Sequence, residues 1–191
     1  MPSTREKVAE ATRELLEAEG SAAVSMRRVA QSVGITPMAL YRHYPNREGL
    51  LNEVCEEAFA KVADQWRSRE QQRDSWADLL AIGSLLVDLA IARPHLYRYM
   101  FIDQRDEARQ LPDSSAAAQS PTLSIVISGV TRCMDEGVFR RDDPLAVSLT
   151  LVAQLQGLIA LYQGGRLGVD ENAFRDLCHD CLRRVFHGLA A

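Results

Sequence analysis

Apolar residues recur every three or four positions along almost the whole chain, and no stretch of useful length alternates apolar and polar residues with the period of a strand. That periodicity restricts the molecule to helices packed on helices. Residues 4–19 carry Val8, Ala11, Leu15 and Ala18 on one stripe, and Gly20 ends the helix. Ser25 caps a short helix to Val33, followed by Gly34, and Thr36-Pro37 supplies a capping hydroxyl before a first-turn proline. Asn46 opens a long helix to about Arg69, with Leu50, Leu51, Val54, Ala58 and Val62 facing inward. Apolar residues nearly surround the helix from Ser75 to Ala92, so it must be central. Pro94 restarts the chain into a short helix, and residues 103–120 lose all periodicity and are expected to form a mobile loop. Ser120-Pro121, Asp143-Pro144 and Asp170 mark three more helix starts, the last leading into Phe174, Leu177, Cys181, Leu182, Val185, Phe186 and Leu189.

The 191 residues are 47% hydrophobic and 25% charged, which excludes a disordered chain and allows a buried core. A net charge of −4 excludes a protein that coats nucleic acid through overall charge. Cysteines at 55, 133, 178 and 181 have no disulfide-framework spacing, and the N-terminus lacks the apolar run of a signal peptide, so a cytoplasmic setting is expected. Residues 144–165 carry no charge. Ser148, Thr150, Gln154, Gln156 and Gln163 interrupt them, however, and no basic cluster flanks them. The expectation is a buried helix rather than a membrane span.

One segment departs from the overall balance. Between Gly20 and Arg47 there is no Asp or Glu, while Arg27, Arg28, Arg42 and Arg47 lie inside it. The same stretch has the arrangement of a helix-turn-helix. Val29 and Val33 point inward, Ala30 permits close approach, Gly34 turns the chain, Ile35 plugs the corner, and Leu40 with Tyr44 anchors the second helix. The outward face is then Pro37, Met38, Tyr41 and Arg42, with Ala39 and His43 at its margins. Arg can bond guanine O6 and N7 bidentately, and Met or Ala can meet a thymine methyl. Tyr41 and His43 can donate to phosphates, and Arg47, near the next helix start, can add another phosphate contact.

The run Ser-Met-Arg-Arg-Val-Ala-Gln-Ser-Val-Gly-Ile-Thr-Pro-Met-Ala-Leu-Tyr-Arg-His-Tyr-Pro-Asn-Arg-Glu-Gly-Leu-Leu, 25–51, resembles the DNA-binding domain of the tetracycline-repressor (TetR) family, its most specific part being Leu40 to Tyr44 with Pro45-Asn46-Arg47 behind. The resemblance covers about residues 4–55. It implies an all-helical homodimer with N-terminal reading heads and a C-terminal body that binds ligand and dimerises. It also implies that Ser25, Tyr41, His43 and Arg47 hold phosphates while Pro37, Met38, Ala39 and Arg42 face bases. Residues 93–101 resemble a branch named for a Trp-His-Gly signature; at its expected place only Gly157 matches, with Val152 and Gln156 replacing the Trp and His.

Weaker signals concern the remainder. An all-round apolar helix and the glutamines of 144–165 suggest a ligand cavity with Trp66, Tyr97, Met100, Phe101, Met134, Gln154 and Tyr162 as candidate linings, although plain core explains each of them as well. Cys178 and Cys181 share a helical face, but no second Cys/His pair completes a metal site, and buried thiols are the commoner case. No nucleophile elbow, phosphate loop or zinc-protease motif stands in the chain. The expectation is therefore an all-α protein with a three-helix helix-turn-helix domain over 1–50 and a ligand-binding and dimerisation bundle over 51–191, its dimer interface on the last two long helices, 144–164 and 172–189, whose apolar stripes exceed what one small bundle needs. It would act as a non-enzymatic regulator, most simply a repressor, reading a palindromic double-stranded operator as a homodimer released by a small-molecule effector, with no cofactor, metal or membrane. A helical interaction module and a cysteine-based redox sensor remain the alternatives.

Overall fold

The computed structural model describes residues 3–70, 72, 74–105, 111, 117 and 119–191. The expected loop over 103–120 lies largely outside them. Among the described residues the chain is all-α: α1 (Thr4–Glu19), a 3-10 turn (Ser21–Ala23), α2 (Met26–Val33), α3 (Pro37–Tyr41), α4 (Arg47–Ser68), α5 (Ser75–Ala92), α6 (Pro94–Phe101), α7 (Leu123–Asp135), α8 (Pro144–Gln163) and α9 (Glu171–Leu189). It divides into two compact units, Met1–Lys61 with Arg93–Ala108 and Val62–Ala92 with Arg109–Ala191.

In the first unit, α1 starts at a capping box: Ser3 Oγ accepts from the Glu6 N–H, and the Glu6 carboxylate accepts from the Ser3 N–H. Its buried face is Val8, Thr12 and Leu16 with Ala9 and Ala11, whereas Leu15 is half-buried and Ala18 exposed. The expected stripe is thus rotated, because Thr12 satisfies its own hydroxyl by donating to the Val8 carbonyl at 2.8 Å and so can be buried. In α2, Met26 joins Val29 and Ala30 in the core, and Val33 is only half-buried. The C-terminus of α2 turns at Gly34 (φ 75°), and the Ile35 N–H returns to the Ala30 carbonyl. Leu50, Leu51, Val54, Cys55, Ala58 and Phe59 of α4 complete this core, and α6 adds Leu96, Tyr97, Tyr99 and Met100.

The second unit packs α9 on α5 through a small residue: a Cβ at Gly83 would lie 2.5 Å from Leu182 Cδ1. Along α9, Phe174, Cys178, Leu182 and Phe186 are buried at four-residue spacing. Trp76 packs edge-on against Phe186 at 5.0 Å between ring centroids and against Phe139 at 6.2 Å. Asp78, buried near the start of α5, pairs with Arg69 at 2.9 Å and accepts from the Gln72 N–H. The uncharged segment 144–165 forms α8 and is buried within its own chain on one face only. In α8 only Val147, Ser148, Leu151, Leu155 and Ile159 are buried, and about 28% of its most apolar window is covered by the chain. Thr150, Ala153, Gly157, Ala160 and Leu161 remain exposed.

Candidate nucleic-acid interface

The second helix of the helix-turn-helix is very short, five residues, and is built from its ends. Thr36 Oγ1 accepts from the Ala39 N–H at 3.2 Å, Pro37 fills the first turn, and Leu40 is its one buried side chain. Beyond Tyr41 the chain continues in turns, the His43 and Tyr44 N–H groups both reaching the Leu40 carbonyl. With Leu40 and Tyr44 turned inward, Pro37, Met38, Tyr41, Arg42 and His43 are all exposed, and Ala39 is half-buried at the margin. Met38 is 70% and Tyr41 50% exposed, the two most exposed large apolar side chains described in the chain. Arg27 is exposed too, and among the described residues no carboxylate pairs with Arg27 or Arg42.

The other basic side chains of the segment are engaged within the protein. The Arg28 guanidinium bonds both oxygens of Glu19, at 2.7 and 3.0 Å, and the Ala23 carbonyl; it holds the Glu19 carboxyl below its usual range. Glu19 lies one residue outside the acid-free stretch and removes Arg28 from the free positive charge counted there. Arg47 Nε donates to the Val24 carbonyl at 2.8 Å and Nη2 to the Ser21 carbonyl, while Nη1 meets Glu48 at 3.2 Å. Arg47 is thus fastened to the turn before α2. Ser25 and Thr36 both serve as helix caps, Ser25 Oγ accepting from the Arg28 N–H at 3.3 Å. Asn46 Oδ1 does the same for α4 by accepting from the Gly49 N–H at 2.7 Å.

A cluster not anticipated from the sequence holds the chain just beyond α3. Tyr44 is buried and donates its hydroxyl to Glu53 Oε1 at 2.8 Å, while Arg5 of α1 binds both oxygens of the same carboxylate and lies over the Tyr44 ring at 5.6 Å. The hydrogen bond from Arg5, followed by that from Tyr44, holds the Glu53 carboxyl below its usual range against a desolvation penalty. Burial, reinforced by Glu53, pushes the Tyr44 phenol up to about 12, so it remains a donor at neutral pH.

The residues read from the sequence as ligand contacts are divided between the two units. Tyr97, Met100 and Phe101 belong to the first unit, where Phe101 packs on Tyr97 at 5.2 Å and on Phe59 at 5.3 Å. Burial drives the Tyr97 phenol upward, and its hydroxyl has no hydrogen-bond partner among the described residues. In the second unit, Trp66 lines an apolar cavity of about 30 Å³ together with Leu79, Gly83, Leu86, Val126 and Leu155. Met134 is buried, Gln154 half-buried, and Tyr162 stacks on Phe174 at 4.1 Å; none of the three lines that cavity. Burial pushes the Cys178 thiol up to about 12, away from the thiolate a redox sensor needs. Among the described residues, no three His, Cys, Asp or Glu side chains are grouped to hold a metal.

A capped reading helix exposed beside unpaired arginine, on a three-helix frame, defines a helix-turn-helix DNA-binding protein. Residues 8–54 match the model for bacterial regulatory proteins of the tetR family, and residues 79–188 that for a tetracyclin repressor-like C-terminal domain. The chain belongs to the TetR family of DNA-binding transcription regulators, whose C-terminal domain typically binds ligand. The branch named for the Trp-His-Gly signature is not singled out by these matches. The nucleoid occlusion factor SlmA of Aliivibrio fischeri is 33% identical over 104 residues, 52% of this chain and 52% of that protein. The chain thus spans about half the length of the curated relatives it first matches. Among solved structures, a Rhodococcus protein of unknown function superposes with a TM-score of 0.80 at 21% identity, covering 100% of this chain and 97% of its own. The Bacillus subtilis regulator FadR, in complex with stearoyl-CoA, superposes with 0.71 at 13% identity over 92% and 96% of the two chains.

Proposed function

We propose that this regulator is a cytoplasmic, homodimeric repressor that reads a palindromic operator and leaves it when a small molecule binds its body. The observation that carries the reading is the exposed α3 face, where Met38 and Tyr41 stand in water, followed by exposed Arg42 and His43, with no carboxylate among the described residues paired to Arg42. Exposing two large apolar side chains on a five-residue helix is unfavourable for an isolated domain and is explained by a partner surface. In the major groove Arg42 would take guanine, while Pro37, Met38 and Ala39 would pack against bases. Tyr41, His43 and Arg27 would meet phosphates. Ser25, Arg28, Thr36 and Arg47 would contribute mainly by fixing the frame, given their internal bonds.

Dimerisation is supported by α8, whose uncharged outer face is left uncovered by its own chain, and by half-buried Leu177, Cys181 and Val185 beside it on α9. Two copies joined there would present two reading heads to two half-sites, one helical turn apart or a small multiple of it. Effector control is supported by the apolar cavity beside Trp66, and by the lipid thioester that a regulator of the same fold carries. At about 30 Å³ the cavity has room for no more than a few waters. A larger apolar ligand enters only by spreading the helices, and so favours a different conformation.

The test is selection of random duplex DNA on the purified protein, followed by binding at two salt concentrations. An inverted repeat whose affinity falls steeply with salt and whose pattern relaxes in Arg42→Ala is the expected result. Enrichment of a single unrepeated half-site would overturn the dimeric reading, and absence of any enriched motif would overturn sequence-specific recognition.

A further inference from the structure

We infer that Glu53 is a positioning residue for DNA reading: its carboxylate, gripped by Arg5 and bonded by the Tyr44 hydroxyl, sets the orientation in which α3 presents Met38, Tyr41 and Arg42. The inference rests on α3 being the reading element, as proposed above.

A five-residue helix has little of its own to define its orientation. Leu40 is its single fully buried side chain, and apolar burial is non-directional, so the helix has few side chains of its own to set how it is turned. The caps at Thr36 and Pro37 define where the helix starts, not how it is turned. Tyr44 is the next buried residue, joined to the same turn through its N–H to the Leu40 carbonyl at 3.1 Å. Its ring would sit in the core equally well as phenylalanine. The hydroxyl adds a directional bond to a carboxylate on α4, stronger than a neutral pair. Arg5 makes that carboxylate a fixed point: it binds both oxygens from α1 and covers the Tyr44 ring, so α1, α4 and the turn that follows α3 meet at one side chain. Glu53 is also the acid that leaves Arg5 no surplus charge to offer a phosphate.

The consequence falls on specificity rather than on attraction. Salt-dependent, sequence-independent binding needs only cations near phosphates, whereas base reading needs side chains held in register with the groove. Releasing Tyr44 should therefore weaken binding to the selected duplex and leave binding to a scrambled duplex intact.

The experiment compares Tyr44→Phe, Glu53→Ala and Glu53→Gln with the unaltered protein on the duplex it selects and on a scrambled duplex, with thermal unfolding recorded in parallel. Tyr44→Phe removes one oxygen and keeps the ring, so it tests the bond without opening the core. The expected loss is about tenfold in the specific-to-nonspecific affinity ratio for Tyr44→Phe and for Glu53→Ala, no further loss when the two are combined, and partial recovery in Glu53→Gln, whose amide oxygen can still accept. A fall in Tm with the ratio unchanged, or equal losses on both duplexes, would make the cluster a stabilising contact only and overturn the inference. If the unaltered protein selects no motif, the reading of α3 fails instead, which separates the two outcomes.

Discussion

Among the described residues α3 and α8 each leave an apolar surface uncovered, and the two surfaces differ in what surrounds them. On α3, Met38 and Tyr41 stand beside Arg42 and His43 within a segment free of acids. On α8, Ala153, Gly157, Ala160 and Leu161 lie in a stretch with no charge of either sign from 144 to 165. Apolar exposure alone marks a site of contact; the charge around it distinguishes the partner. A cationic border suits a polyanion whose bases carry methyl groups, and an uncharged face of small residues suits another helix at close range.

The largest effect should come from charging the second surface. Ala153→Arg would place an unpaired guanidinium in each half of the α8 interface, a penalty of about 3–5 kcal/mol per charge. Light scattering should show a monomer and the inverted-repeat affinity should collapse; an unaltered dimer would mean that α8 is not the seam. Next comes Arg42→Ala, for which about 1–3 kcal/mol of discrimination should disappear at one base position while thermal stability stays unchanged. A uniform loss across all sequences would demote Arg42 to a phosphate contact. Thr36→Ala should cost about 1 kcal/mol of stability in denaturant unfolding by removing the α3 cap.

A finer separation is available among the arginines. Arg27→Ala should reduce the dependence of DNA affinity on salt by about one phosphate contact, and Arg28→Ala, already paired with Glu19, should hardly alter it. Equal slopes for the two variants would erase the distinction. The smallest effect concerns pH. Because the folded-state Glu53 carboxyl titrates below its usual range, its contribution is present above the ordinary carboxylate value of about 4.5 and is lost as pH falls through its lower folded value. The stability difference between the unaltered protein and Glu53→Gln should therefore shrink on acid titration, and a difference that grows toward low pH would contradict the pairing.

Local chemistry accounts for what could be read in the sequence. Caps at Ser25, Thr36, Asp143 and Asp170 and the inward set of α4 follow from neighbours within a few residues, and each is found as expected. The frame that holds the reading helix was hidden because its partners are remote: Arg5 and Glu53 are 48 residues apart. The carbonyls that bind Arg47 belong to the backbone and leave no trace in residue type. The burial of Thr12 is not legible in the sequence, because a hydroxyl counts as polar until its own helix satisfies it. The uncovered face of α8 is not decided by its composition, since an uncharged helix reads the same whether its neighbours belong to its own chain or to a second copy.

Both tryptophans of the chain, Trp66 and Trp76, belong to the unit that carries the cavity, one lining it and the other packed against Phe186. Tryptophan emission, excited beyond the absorption of tyrosine, is therefore a native signal of the body, since the DNA-reading unit holds Tyr41, Tyr44, Tyr97 and Tyr99 but no tryptophan. A ligand that enters beside Trp66 should announce itself without a label, and any change in that emission caused by adding DNA would have to be transmitted through the protein.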